Sequence, residues 1–382
     1  MSFHPFIQQT PAMKTIAREG AVDSLGAELA LLRARRPLLV CSASVLRSPL
    51  YERVTKQLEG LAVLSAGAIP AHSSAELVEQ LAAESARHQV DVIIAVGGGS
   101  CSDTAKAVAL LMAEGGRLAD HATRFTPPAD LYAPLLLQPK LPIVTIPCTA
   151  SGAEVTSSLG IRAADGSKLL FTDPQLASRV VLLDPQANLD VPVALMLSTG
   201  MNGLAHCVEG LYSKVRSPLA EVLAIDGIAR FARVLPAVRR NPGDVVQRGE
   251  LMLAAHLSGL VLVNARTCLH HAICHAIGSV TGVGHGDANA VMLPHALSFN
   301  FESVQPQLER AAVALGRGSD FIAGLRELAA ELGVPTRLRD IGVPHESLTR
   351  IATKTLGERG LFFNPRTVRN ADEMLALLEQ AW

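Results

Sequence analysis

The sequence predicts two architectures in succession: an α/β domain over residues 1–190, then an all-helical domain over residues 191–382. Three observations predict this. Short apolar runs alternate with helix-like stretches as far as about residue 190. Beyond 191 the strand signal disappears and helical periodicity takes over. In the first half, one apolar run passes directly into three glycines and then a helix, the junction of a nucleotide-type βαβ unit. A length of 382 residues suits about two or three domains at roughly 150 residues each.

Residues 37–42 (PLLVCS), 61–65 (LAVLS), 91–96 (DVIIAV), 142–146 (PIVTI) and 179–183 (RVVLL) are short, apolar and bounded by Gly, Pro, Ser or Asp, as buried parallel strands are. Helices are expected at 74–88 and 102–113, covering both faces of the sheet. In the second half, helical segments are expected at 191–214, 216–238, 246–264 and 319–332. Residues 115–141 carry Gly, Pro and little periodicity, and read as a long excursion before the strand at 142. There is no internal repeat or low-complexity tract.

Charge excludes several function classes. Lys and Arg number 34 against 35 Asp and Glu, a net charge of -1, so no basic face for nucleic acid or an anionic membrane is indicated. The amino terminus has no basic region followed by a long apolar stretch, so no secretory signal is read and the mature chain is expected to begin near Met1, in the cytoplasm. The longest apolar segment, 251–263, is broken by His256 and Ser258 and falls short of the roughly 20 residues of a spanning helix. The cysteines at 41, 101, 148, 207, 268 and 274 lack CxxC pairing and read as free thiols.

Two constellations carry chemistry. Gly97, Gly98, Gly99 and Ser100 follow the strand 91–96, with a helix expected from near Ser102. Backbone N–H groups at a helix N-terminus and side-chain-free glycines form a cradle for a phosphate, or simply a tight turn. Ser100 and Asp103 also fit an S-x-x-D capping box. The second constellation is polar: His271 and His275 lie one helical turn apart, His285 follows in GVGHG, and Asn202 and His206 repeat the four-residue spacing. Such a group can hold a divalent metal or relay a proton. His270 points to another face, and His295 reads as a packing residue.

At these residues the chain resembles the iron-containing alcohol dehydrogenase superfamily. The resemblance lies in VGGGSCSDTAKA (96–107), STGMNGLAHCVEG (198–210) and HAICHAIGSVTGVGHG (271–286), in that order, with PKLPIVTIP (139–147), LLDP (182–185), ANAVMLPHALSFN (288–300) and FNPR (363–366) extending it over nearly the whole chain. It implies a Rossmann-like cofactor domain and a helical domain (the dehydroquinate synthase-like, iron alcohol dehydrogenase fold), NAD(H) or NADP(H) as cofactor, a small carbonyl substrate and a homodimer. By motif position the metal ligands would be Asn202, His206, His271 and His285, with His275 at the proton-transfer place. Gly97, Gly98 and Ser100 would face the pyrophosphate, with Asp103, Thr145, Cys148, Thr149 and Ser151 as further cofactor contacts.

Asn202 departs from the family's Asp and removes the only anionic ligand, so iron or zinc would bind weakly and is not expected to be required. A protonated histidine among His206, His271, His275 and His285 would then replace it. Both Asn202 and PCTASGAEVT (147–156) resemble the maleylacetate reductases, although the 115–141 excursion is longer than expected for them. The function implied is NAD(P)H-dependent reduction of maleylacetate to 3-oxoadipate, or of a related small oxo acid, in aromatic-compound catabolism. A metal-dependent alcohol or aldehyde dehydrogenase, a dehydroquinate-synthase-type lyase and a non-catalytic binder are the alternatives. Arg266 is the nearest candidate to hold a dicarboxylate, with surface solvation as its other reading. Ser42 follows PLLVC (37–41), at the strand end where an acidic residue would select NAD, so NADH and NADPH are both expected to serve.

Overall fold

Val92–Gly97, the run VIIAVG, is buried along its whole length, which places it in the middle of a sheet covered on both faces. The computed structural model of the chain describes residues 6–8, 10–127 and 130–382; the reading of residues 1–5 lies outside them. The strands are β1 (Lys14–Ala17), β2 (Pro37–Ser42), β3 (Leu64–Ile69), β4 (Val92–Gly97), β5 (Arg124–Thr126), β6 (Asp130–Tyr132), β7 (Ile143–Pro147), β8 (Ser158–Arg162), β9 (Lys168–Thr172) and β10 (Val180–Leu183). Six of them form one sheet in the order β1-β10-β7-β4-β2-β3, every pair parallel.

Alternate residues of β4 serve opposite layers. Ile93 and Ala95 pack with Leu81 and Val108 of helices α3 (Ala75–Arg87) and α4 (Gly99–Glu114). Val92, Ile94 and Val96 pack with Leu25, Leu29 and Val54 of α1 (Leu25–Leu31) and α2 (Pro49–Lys56).

Several expectations are corrected. The strand expected at 61–65 runs instead over Leu64–Ile69. It is a sheet edge that buries little, so its residues need not be the most apolar ones nearby. β1 escapes an apolar search for the same reason, being mostly exposed. Helix α4 begins at Gly99 rather than near 102, because Gly98 is its N-cap. The excursion 115–141 holds the antiparallel β5–β6 hairpin, and Thr123 bridges to Leu170 of the unforeseen β8–β9 hairpin.

The chain then becomes helical: α5 (Val193–Tyr212), α6 (Pro218–Arg240), α7 (Val245–Ala265), α8 (Leu269–Thr281), α9 (His285–Leu315), α10 (Phe321–Leu332), α11 (Leu348–Thr355), α12 (Gly360–Phe363) and α13 (Ala371–Ala381). The four helical segments expected from periodicity correspond to α5, α6, α7 and α10. Helix α5 is the axis of this half, buried from Met196 to Tyr212 at all but one position. A side chain at Gly203 would fall 2.5 Å from Phe231, and one at Gly210 would fall 2.1 Å from Val261. Glycine there lets α6 and α7 close on α5. Among the described residues no single helix is long and apolar enough to cross a membrane; α7 and α8 would pass only as a pair, and they meet at a bend of 105°.

Candidate active site

The sheet order creates a crevice. After β2 the chain moves outward to β3, whereas after β4 it moves the other way, to β7. The carboxyl ends of β2 and β4 therefore flank a topological switch point, where open α/β sheets bind ligands. Ser42 ends one strand and Gly97 the other. Gly97 has φ 145, and a side chain on it would lie 2.7 Å from Cys101 Sγ and 3.3 Å from Ser42 Oγ. Its carbonyl accepts from the Cys148 N–H at 2.8 Å. No side chain caps α4, so its N-terminal dipole faces the crevice unneutralised, a site suited to pyrophosphate.

The capping box expected from Ser100 and Asp103 does not form. Ser100 Oγ accepts from the His72 N–H at 3.2 Å, and Asp103 from the Gly160 N–H at 3.2 Å, tying α4 to its neighbours. Thr149 backs Gly98, with its Cγ2 3.1 Å from where a side chain there would begin, and its hydroxyl lies 3.4 Å from that of Ser151. Thr145 and Cys148 are buried beneath the turn, with the Thr145 hydroxyl bonded to Ser178 at 2.7 Å.

The histidine cluster meets this crevice in one cavity of about 370 Å³. Gly99, Asp103 and Ser151 line it from the α/β side, and Asn202, His206, His271, His275 and His285 from the helices. Helix α5 supplies Asn202 and His206, α8 supplies His271 and His275, and α9 starts at His285. His206 stacks on His271 at 4.8 Å between ring centres, and His275 stacks on His285 at 5.4 Å. His270 turns away, its Nε2 3.0 Å from the Asn289 carbonyl, and His295 does not line the cavity.

Two acids orient this cluster, and sequence reasoning missed both. Glu209, fully buried, accepts from the His270 N–H at 2.9 Å and holds His271 Nδ1 at 2.6 Å. With the Nδ1 proton on that bond, the lone pair of His271 Nε2 points at Asn202 Oδ1, 3.1 Å away. Glu209 was findable: it stands three residues after His206 on the same helix face. Glu358 places Oε2 3.3 Å from His275 Nδ1; 83 residues separate the two, and no local pattern joins them. Burial pushes its carboxyl up to about 7, against the opposing pull of Lys168, Lys354 and Arg359.

Burial lowers every imidazole here: His271 to about 3, and His206, His275 and His285 well below the usual histidine range. The cluster is neutral near pH 7. A standing imidazolium, expected from the ordinary histidine range, is thus opposed by desolvation and by neighbouring cations.

Neutral imidazoles are what a metal needs as ligands. The meeting of two acceptors, His271 Nε2 and Asn202 Oδ1, is resolved either by a shared cation or by rotating the amide so that its NH₂ donates. The residues therefore fit a divalent ion, held by three imidazoles and a neutral carbonyl, with Glu209 supplying charge one shell out. Among the described residues Glu209, His270 and His271 also bring metal-type ligand atoms within 4.8 Å of one another, on the opposite side of the His271 ring.

A crevice at a switch point of a parallel sheet, opening onto a buried histidine cluster, is the architecture of a nicotinamide-dependent oxidoreductase. Residues 12–185 match the family model described as iron-containing alcohol dehydrogenase, and 196–382 match that of the Fe-containing alcohol dehydrogenase family, C-terminal. The chain is 30% identical over 377 residues to the maleylacetate reductase of Pseudomonas knackmussii, covering 99% of this chain and 97% of the relative. It is 29% identical to the 4-hydroxybutyrate dehydrogenase of Cupriavidus necator, covering 95% and 96%. The crystal structure of maleylacetate reductase from Rhizobium sp. strain MTP-10005 superposes with a TM-score of 0.84 at 27% identity, covering 100% of this chain and 99% of that one. The chain belongs to the iron-containing alcohol dehydrogenase family and is an oxidoreductase acting on a small carbonyl compound.

Proposed function

We propose that this enzyme uses NADH or NADPH to reduce maleylacetate to 3-oxoadipate, or a related small oxo acid, without requiring a metal. The observation that carries the reading is the cavity in which Gly99 of the glycine turn meets Asn202 and the four histidines. The resemblance to maleylacetate reductases supports the substrate. The working unit is taken as a homodimer, with cofactor domain 1–190 and catalytic domain 191–382.

A bound reduced nicotinamide supplies the hydride. Gly97, Gly98 and Ser100 hold the pyrophosphate, with Ser42, Thr149 and Ser151 beside it. In maleylacetate the hydride adds to the alkene carbon β to the ketone, the electron pair moves to the ketone oxygen, and a proton is delivered to the α carbon. His275 is the group placed to deliver it, resupplied through Glu358, whose carboxyl retains its proton near neutrality. His206 and the Asn202 amide face the developing oxyanion with N–H donors, while His271, its Nδ1 proton held by Glu209, orients that amide; were a divalent ion bound, Asn202, His206, His271 and His285 would hold it and it would supply Lewis acidity.

A metal-dependent alcohol dehydrogenase is the second reading, favoured by the Glu209–His271 pair, since a carboxylate behind a histidine is usual at metal sites. Loss of reduced-nicotinamide absorbance with maleylacetate and with a panel of aldehydes and ketones, before and after exhaustive chelation, separates the two. Turnover of maleylacetate that survives chelation is expected. Activity only on neutral aldehydes, abolished by chelation and restored by iron or zinc, would overturn the proposal.

A further inference from the structure

The same cavity carries an excess of positive charge. Lys168, Arg266 and Arg359 line it with a single carboxylate, Asp103; with the histidines neutral, three cations against one anion leave +2. Lys168 acts on both Asp103 and Glu358. The two arginines differ: neither has a carboxylate within 4 Å among the described residues. The one polar contact of the Arg266 guanidinium is Thr172 Oγ1, at 3.5 Å. Arg359 feels Arg266 as a repelling neighbour, and burial and that repulsion lower it to about 10. Two desolvated, mutually repelling guanidiniums with no carboxylate in direct contact are costly unless an anion joins them.

The backbone adds an independent observation. Arg266 ends α7 with φ 68 and ψ 168, a region that is nearly exclusive to glycine. A glycine there would end the helix without strain; an arginine is retained in spite of it. Strain of this kind persists where it aims a side chain, and here it directs a forked donor into the cavity that holds His275. Arg359 is tied to the same histidine through its neighbour, Glu358.

We propose that Arg266 and Arg359 form a clamp for a carboxylate of the substrate, which makes the enzyme selective for a dianionic oxo acid over neutral carbonyl compounds. This rests on the reading of the cavity as the reduction site and names the residues that set its substrate class. A guanidinium pair receives a planar carboxylate through parallel N–H bonds, and a dicarboxylate neutralises the charge of +2.

The test compares an oxo diacid with its diester in wild type, Arg266→Gly, Arg266→Lys and Arg359→Gln. Arg266→Gly is expected to be at least as thermostable as wild type, because the strained backbone relaxes, which excludes misfolding as the cause of any loss. Its preference for acid over ester, as a ratio of kcat/KM values, is expected to fall by about tenfold to a hundredfold, and that of Arg359→Gln likewise, from the loss of a charged hydrogen bond. Arg266→Lys should lose less. Thermal stabilisation of wild type by a saturated dicarboxylate should disappear in the glycine and glutamine variants. That arm needs no turnover, so it stands even if no carbonyl substrate is reduced and the reduction reading fails. An unchanged acid-to-ester ratio, or loss of NADPH affinity with the ratio preserved, would overturn the clamp.

Discussion

Replacing Asn202 with Asp tests how the protein manages without an anionic ligand. His271 Nδ1 is fixed by Glu209 at 2.6 Å, so its Nε2, 3.1 Å from the Asn202 side chain, must accept. An amide meets that demand by turning its NH₂ toward the ring; an ionised carboxylate has no donor to offer. Asn202→Asp therefore buries a carboxylate against a lone pair, with Glu209 close behind, and the cost should be about 3 kcal/mol. For a chain of this size that is a fall in Tm of about 4 °C, at a little over ~1 °C per kcal/mol. The variant can escape by binding a cation between the two acceptors or by protonating His271. The protonated ring would have a raised value, so the stability it contributes is complete below about pH 6.5 and is lost as pH rises through the folded value. The assay is thermal unfolding of both proteins across pH, with chelator and with zinc. The variant's deficit should widen with pH and close with zinc, where metal at about a hundred times its Kd returns about 2.7 kcal/mol; wild type should respond little. An Asp variant as stable as wild type in chelator at pH 8 would refute the argument that the amide closes this site.

Wild-type turnover should survive exhaustive chelation, and His275→Ala should slow it by about a hundredfold or more; full metal dependence would remove the metal-independent reading, and a His275→Ala enzyme of near-normal rate would remove the proton-transfer assignment. Gly98→Val puts a branched side chain 3.1 Å from Thr149 and should weaken nucleotide binding by calorimetry, whereas equal affinity would remove the phosphate cradle. Because Glu358 is held near 7, the folded state keeps a proton that the unfolded chain releases from about pH 4.5, so wild-type stability falls as pH rises from there to 7. Glu358→Gln lacks this penalty, and its advantage in denaturant midpoint should grow across that window towards about 3 kcal/mol; a difference independent of pH would count against it. With Ser42 in place of an acid, kcat/KM for NADH and NADPH should differ by less than about a thousandfold.

What could be read from sequence follows from how far each signal reaches along the chain. β4 and the glycine turn lie within a dozen residues and were legible with their chemistry. Asn202 with His206, and His271 with His275, were legible because a helix brings residues four apart onto one face. β3 was misplaced and β1 missed because an edge strand buries too little to require an apolar run, and the β8–β9 hairpin, which contributes Lys168, carried no signal that was recognised. Glu358 and Arg359 come from a segment over 80 residues beyond His275 and reach the cavity only through the packing of α8, α11 and α12. Arg266 shows the deepest limit. Its sequence neighbours say that a helix ends there, and the usual residue for that end is glycine. The conformation forced on an arginine at φ 68 becomes visible only in the structure, and it converts a residue whose solvated reading was the more natural one into a candidate for selecting the substrate.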